Sequence, residues 1–146
     1  MAITPGAFPD NVSSEVKVFL EKYFQLSNAG SSHNDHEANE QEFAKLFLDD
    51  GVYEFAEEQN VGREAILSFR RKLFANVPHR EHPVVRIFTF GSDDMNLMCY
   101  GTVGYKLSND VINMQEWAAR YEIVNTESGD LKFKYVQIII SPARDS

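Results

Sequence analysis

The apolar period of this chain changes once, at Pro78, and does not change back. Before it, hydrophobic residues recur at helical spacing; after it, they alternate. Val16, Phe19, Leu20, Tyr23 and Phe24 fall at i, i+3, i+4, i+7 and i+8, one stripe of a helix. Ser13 or Ser14 can cap that helix, Glu15 suits its first turn, and Asn28 and Gly30 stop it. A short second helix is predicted from near Asn39, where Glu42 completes a capping box and Phe43, Leu46 and Phe47 face inward. "DDGVYEF" reads as a turn, with Gly51 at positive φ, into a short strand that puts Tyr53 and Phe55 on one face. A third helix is predicted from about Gly62 to Val77, with Ile66, Phe69, Leu73, Phe74 and Val77 as its stripe and Pro78 as its stop. Strands then read at 82–91, 95–107, 112–125 and 131–141, separated by "SDDMN", "LSND" and "TESGD".

Helices first and strands after is α+β segregation, not an alternating βαβ pattern. The expected architecture is three N-terminal helices packed on a curved antiparallel sheet. Residues 1–12, with Pro5, Gly6 and Pro9, read as a loose arm, 13–141 as one domain and 142–146 as a tail. The chain's 146 residues are enough for a core without staples. Lys and Arg number 14 against 22 Asp and Glu, a net charge of −8. That balance argues against nucleic acid, whose phosphates need clustered cations, and against docking on anionic lipid. No apolar run approaches the roughly 18 residues of a membrane span. Cys99 is the single cysteine, which suits a reducing compartment, and "MAITPGAFPD" lacks the basic and apolar regions of a signal peptide. A cytoplasmic protein is expected.

The order and spacing of several pieces carry a family resemblance: "YFQLSNAG", "FAKLFLDDGVYEF", "VGREAILSFRRKLF", "EWAARYEIV" and "LKFKYVQIIIS". Together, over about residues 13–141, they resemble the nuclear transport factor 2-like superfamily of cone-shaped α+β barrels. That group includes SnoaL-like cyclases, ketosteroid isomerases and scytalone dehydratase-like enzymes. In wording the chain is most similar to small SnoaL-like proteins of fungal type, several of which act in polyketide or meroterpenoid biosynthesis. The resemblance implies a pocket between sheet and helices that holds a small apolar molecule, catalysis without a cofactor or metal, and a homodimer through the outer sheet face. The fold also hosts binding modules and transport adaptors, so the site decides the function.

His82, in "PHREHPVVRIF", is the leading catalytic candidate, since an imidazole at a strand entrance beside a pocket can act as acid or base near neutral pH. Scytalone dehydratase-like enzymes carry a histidine at a matching position and a second on the next strand. Here that strand reads "LMCYGTVGY", so a two-histidine relay does not carry over. Ketosteroid isomerase-like proteins place a carboxylate base where this chain has Phe55, with Glu54 facing the other way. Tyr53, Tyr23 and Tyr100 could offer phenol donors to a carbonyl or enolate, although aromatics at such spacing more often fill core. Phe55, Phe69 and Trp117 would shape the pocket and exclude water.

Two arrangements are open for Glu116. Either Trp117, Ala119 and Tyr121 face the pocket, with Glu116 and Arg120 outside where they can pair across a dimer, or a bulge turns Glu116 inward as a base beside His82. The cost of burying charge favours the first. Gln137 lies among apolar neighbours and reads as a buried amide that needs partners. His79 reads as solvated, and the His33–His36 pair as loop without the supporting shell that metal ligands need. Cys99 has no nucleophile–base pattern around it and reads as core.

Overall fold

A computed structural model describes residues 3–28, 35–75, 79–81, 83–106, 109–110, 112–142 and 144–145, with backbone alone at 79–81, 105–106, 112–113 and 144–145. His82, His33, Val77 and Pro78 lie outside the described residues. Three helices come first: α1 (Ser14–Asn28), α2 (His36–Lys45) and α3 (Arg63–Phe74). The strands are β1 (Phe47–Phe55), β2 (Glu58–Val61), β3 (His79–Glu81), β4 (Val84–Phe90), β5 (Asp93–Lys106), β6 (Ile112–Asn125), β7 (Leu131–Ile140) and β8 (Arg144–Asp145). They form one sheet in the order β2-β1-β7-β6-β5, with β3 and β4 both pairing β5 and β8 pairing β6.

The meander β4-β5-β6-β7 is antiparallel, as its alternation predicts. The one departure is β1, which runs parallel to β7, so the sheet is mostly rather than wholly antiparallel. A parallel neighbour needs a crossover, and most of the sheet and α3 lie between β1 and β7 in the chain. Gly51 sits inside β1, not in a turn at positive φ. The strand bulges there, and a Cβ on Gly51 would meet the Phe47 Cβ and two backbone oxygens at 3.0–3.1 Å.

The α1 stripe is buried as read, with Ser27 added to it. Ser13 Oγ accepts from the Val16 N–H at 3.3 Å, and Asp94 Oδ2 from the Ser13 N–H at 2.7 Å, so the cap is tied to β5. α2 begins three residues before the predicted capping box: the Asn39 N–H already bonds the Asp35 carbonyl at 2.8 Å, which places Asn39 within the helix. Residues 3–12 are not loose. Ile3, Ala7 and Val12 are buried. Backbone bonds from Thr4 N–H to the Val84 carbonyl and from Ile87 N–H to the Ala7 carbonyl, both 3.0 Å, lay the segment beside β4. The core between helices and sheet is rich in rings: Phe19, Tyr23, Phe43, Phe47, Tyr121 and Phe133 pack at centroid separations of 4.6–5.7 Å, the range in which tilted and edge contacts are favourable.

Candidate functional site

Alternation along β6 decides which side chains can meet a ligand. Trp117, Ala119, Tyr121 and Ile123 are buried, so Glu116, Ala118, Arg120 and Glu122 stand on the opposite face. The facing residues of β5 follow: Gly101 lies opposite Trp117 and Tyr100 opposite Ala118. Trp117 is fixed by its indole N–H donating to the Thr102 carbonyl at 2.9 Å. The ring lies so close to β5 that a Cβ on Gly101 would sit 2.4 Å from the Pro83 carbonyl oxygen and 2.6 Å from the indole. Only glycine leaves room for that indole.

Between this face and the helices is a cavity of about 160 Å³. Its walls are mostly apolar: Phe24, Phe55, Leu73, Phe74, Val103, Trp117, Ile138 and Ile140. Its polar groups come from Tyr23 and Ser27 on α1, Tyr53 on β1, Arg70 on α3, and Gln115 and Tyr121 on β6. A cavity of roughly 150 Å³ holds one benzene ring, so the space as it stands suits a compact molecule rather than a fused-ring system.

Arg70 and Glu40 organise one end. Both are essentially inaccessible to solvent, at 1 % and 0 % exposure. The guanidinium meets the carboxylate with two parallel bonds, Nε to Oε2 at 2.8 Å and Nη2 to Oε1 at 3.0 Å, the strong bidentate geometry. Arg70 also lies over the rings of Phe43 and Phe74, 4.0 and 4.7 Å from their centroids, and hydrogen-bonds Tyr53. Burial works against its charge, but the Tyr53 oxygen and the Glu40 carboxylate outweigh burial and hold the guanidinium above its ordinary value. Outside, Arg71 pairs with Glu37 and ties α3 to α2 a second time.

Beside this pair, Tyr121 hydrogen-bonds Tyr23, and their rings meet edge to face at 5.6 Å. Burial pushes both phenols well above the usual tyrosine range, so they stay protonated as neutral donors. Burial likewise raises the Cys99 thiol, which leaves it a poor nucleophile.

Of the candidates read from sequence, Tyr23, Tyr53, Phe55 and Trp117 line the cavity. Phe69 is one layer back: its ring packs on Phe55 at 5.6 Å and Tyr53 at 6.0 Å, and it is not among the lining residues. Tyr100 and Glu116 are not in the cavity. Both point to the outer face, where the Tyr100 hydroxyl donates to Glu116 at 3.1 Å, because no bulge reverses the phase of β6 at that point. Within the chain, Arg120 reaches Gln137 at 3.3 Å and Glu122 at 3.4 Å. Gln137 is likewise on the outer face, donating to Glu54 at 2.9 Å, not a buried amide. His36 opens α2 instead of lying in a loop.

Tyr121 shares the face read for Trp117, whereas Arg70 and Glu40 were missed. Both had a signal: each is a charge on an apolar helical stripe. Arg70 is four residues after Ile66 and four before Phe74, and Glu40 is three before Phe43. Charges at such positions are rarely buried unless paired.

No sequence-family model and no curated protein matches the chain. Solved structures do. A provisionally named scytalone dehydratase from Novosphingobium aromaticivorans aligns at a TM-score of 0.72 and 15% identity, over 90% of this chain and 85% of that one. Nuclear transport factor 2 from Cryptosporidium parvum aligns at 0.69 and 12%, over 90% and 96%. A Catenulispora acidiphila protein in complex with S-DNPA aligns at 0.65 and 19%, over 86% and 90%. The chain therefore has the nuclear transport factor 2-like fold, a cone of sheet and helices. Among the described residues, no helix is long and apolar enough to cross a membrane.

Proposed function

We propose that the chain is a cofactor-independent enzyme that moves a proton on a small, apolar, oxygenated molecule held in this cavity, as an isomerase, cyclase or dehydratase. The observation that carries the reading is the polar end of the cavity: Tyr53 held by Arg70, itself clamped by Glu40, facing apolar walls. Donors fixed in a dry site stabilise charge that develops on a carbonyl oxygen, and they need no reorganisation to do so. In the step proposed, a C–H bond next to the carbonyl breaks and its electron pair forms the enolate double bond. The carbonyl π pair moves onto oxygen, where the Tyr53 hydroxyl, held by Arg70, donates to it, and the base keeps the proton until it is returned at another atom. His82 is the base of this proposal. The backbone on either side of it runs along β5: Glu81 lies opposite Gly104, and the Pro83 carbonyl accepts from the Thr102 N–H at 3.2 Å. Val103, between Thr102 and Gly104 on β5, lines the cavity. The resemblance of the sequence to small SnoaL-like proteins of fungal type motivates a place in polyketide or meroterpenoid biosynthesis.

The test needs no knowledge of the natural substrate. Acetophenone has one ring and one enolisable methyl group, and catalysed exchange of that methyl into deuterated water is read by NMR. Exchange above the buffer rate is expected, lost in His82→Ala and reduced about 10²–10³-fold in Tyr53→Phe, as for removal of one oxyanion donor. Exchange unaffected by either change would refute the assignment.

A non-catalytic ligand-binding module is the second reading. What favours it is that, among the described residues lining the cavity, none is a carboxylate or an imidazole. Binding without exchange would establish it. The homodimer is proposed on the outer sheet face, where Phe88 of β4, Met98 and Tyr100 of β5 and Ile139 of β7 are exposed. An apolar face of that kind is a contact surface more often than a solvated one.

A further inference from the structure

The charge of the cavity says which molecules it can accept, an inference that rests on the cavity being the ligand site. Arg70 is the only residue with a formal charge among the described lining residues. Glu40 cancels it from behind, through both carboxylate oxygens, and is wholly buried. The other polar lining groups, the hydroxyls of Tyr23, Tyr53, Tyr121 and Ser27 and the amide of Gln115, are neutral. The cavity end is thus rich in hydrogen-bond donors but carries no net charge. A neutral oxygen acceptor gains those donors at little desolvation cost. A carboxylate would bring a second anion beside a guanidinium already neutralised, into apolar walls that return nothing for its lost water.

We propose that Glu40 sets the charge specificity of the site, so that the cavity takes a neutral carbonyl or hydroxyl compound of about one ring and rejects the carboxylate of the same shape. Arg70 alone would suggest the opposite, since a buried guanidinium is the usual donor to carboxylates. Removing the Glu40 charge while keeping its shape should therefore invert the preference.

Acetophenone, benzamide and benzoate share size and outline and differ in charge, and benzoate is ionised at neutral pH as carboxylates are. Trp117 is the single tryptophan, so its indole N–H gives one NMR signal from the cavity wall. In the unmodified protein, acetophenone and benzamide are expected to shift that signal with at least tenfold lower Kd than benzoate. In Glu40→Gln the order should reverse by a similar factor, and benzoate, not acetophenone, should raise the Tm. Benzoate binding the unmodified protein as tightly as acetophenone would overturn the inference and leave the cavity reading intact. An unchanged order in Glu40→Gln would also overturn it. No response of Trp117 to any of the three would overturn both. Should the variant fail to fold even with benzoate, the order in the unmodified protein decides.

Discussion

Replacing Arg70 with methionine removes a guanidinium but keeps most of its volume and helix propensity. What changes is Glu40, a carboxylate with no solvent exposure that loses both bonds of its bidentate partner, at 2.8 and 3.0 Å. Breaking a buried pair from one side costs about 3–5 kcal/mol, because one charge stays buried without its counter-charge. For a domain of this size each kcal/mol moves Tm by roughly 2–4 °C, so the loss should be on the order of 6–20 °C. Glu40→Met should cost a similar amount by removing the carboxylate that balances Arg70. The double variant, Glu40→Met with Arg70→Met, leaves neither charge without the other and should recover most of the loss, since apolar replacements of buried pairs are often near neutral. Urea unfolding of all four proteins, compared at constant m-value, gives the coupling energy, which should be at least about 2 kcal/mol. Single costs below about 1 kcal/mol, or costs that add within about 0.5 kcal/mol, would refute the view that this pair is buried and mutually dependent.

Gly101→Ala should cost roughly 1–3 kcal/mol as an overpacked site and shift Trp117 fluorescence, because the new methyl lands on the Pro83 carbonyl and the indole; an unchanged spectrum and midpoint would contradict the packing. Tyr23 and Tyr121 have folded-state pKa values raised first by burial, so the native state binds more protons than the unfolded chain above pH of about 10. Their contribution to stability is intact below that pH and is lost as pH rises beyond it. Phenolate absorbance from these two rings should appear only together with unfolding, and early ionisation of all six tyrosines would contradict their burial. Met98→Glu or Ile139→Glu, on the exposed apolar strip of β5 and β7, should convert the proposed dimer to monomer in sedimentation at unchanged fold; a monomeric unmodified protein would remove that part of the proposal.

Periodicity made the architecture legible wherever one face of an element is buried. The α1 stripe puts Tyr23 inside, and alternation groups Trp117, Ala119 and Tyr121 on one face of β6, which the cost of burying Glu116 and Arg120 favours as the inner one; Tyr23 and Trp117 are both buried. It failed where burial and period part company. Residues 3–12 carry two prolines and a glycine, the marks of a loop, yet Ile3 is in the core because an extended segment can pair at a sheet edge without any period of its own. The run Ile138–Ile139–Ile140 hides the alternation of β7, so Gln137 was read as interior although Glu54 and Arg120 hold it outside. Arg70 and Glu40 went unread, since a side chain's partner across two helices is invisible in one helix's sequence. Half of the cavity's polar end was therefore out of reach: Tyr53 could be proposed, but not the ion pair that orients it.

The central claim is that ligand enters the space between β6 and the helices. The most direct measurement is the set of intermolecular nuclear Overhauser contacts from bound acetophenone to the protein. Contacts to the rings of Trp117, Phe55 and Tyr53 are predicted. Contacts instead to Val18, Lys22 and Lys132, which border the open groove beside α1, or to Met98 and Ile139 on the outer face, would contradict it.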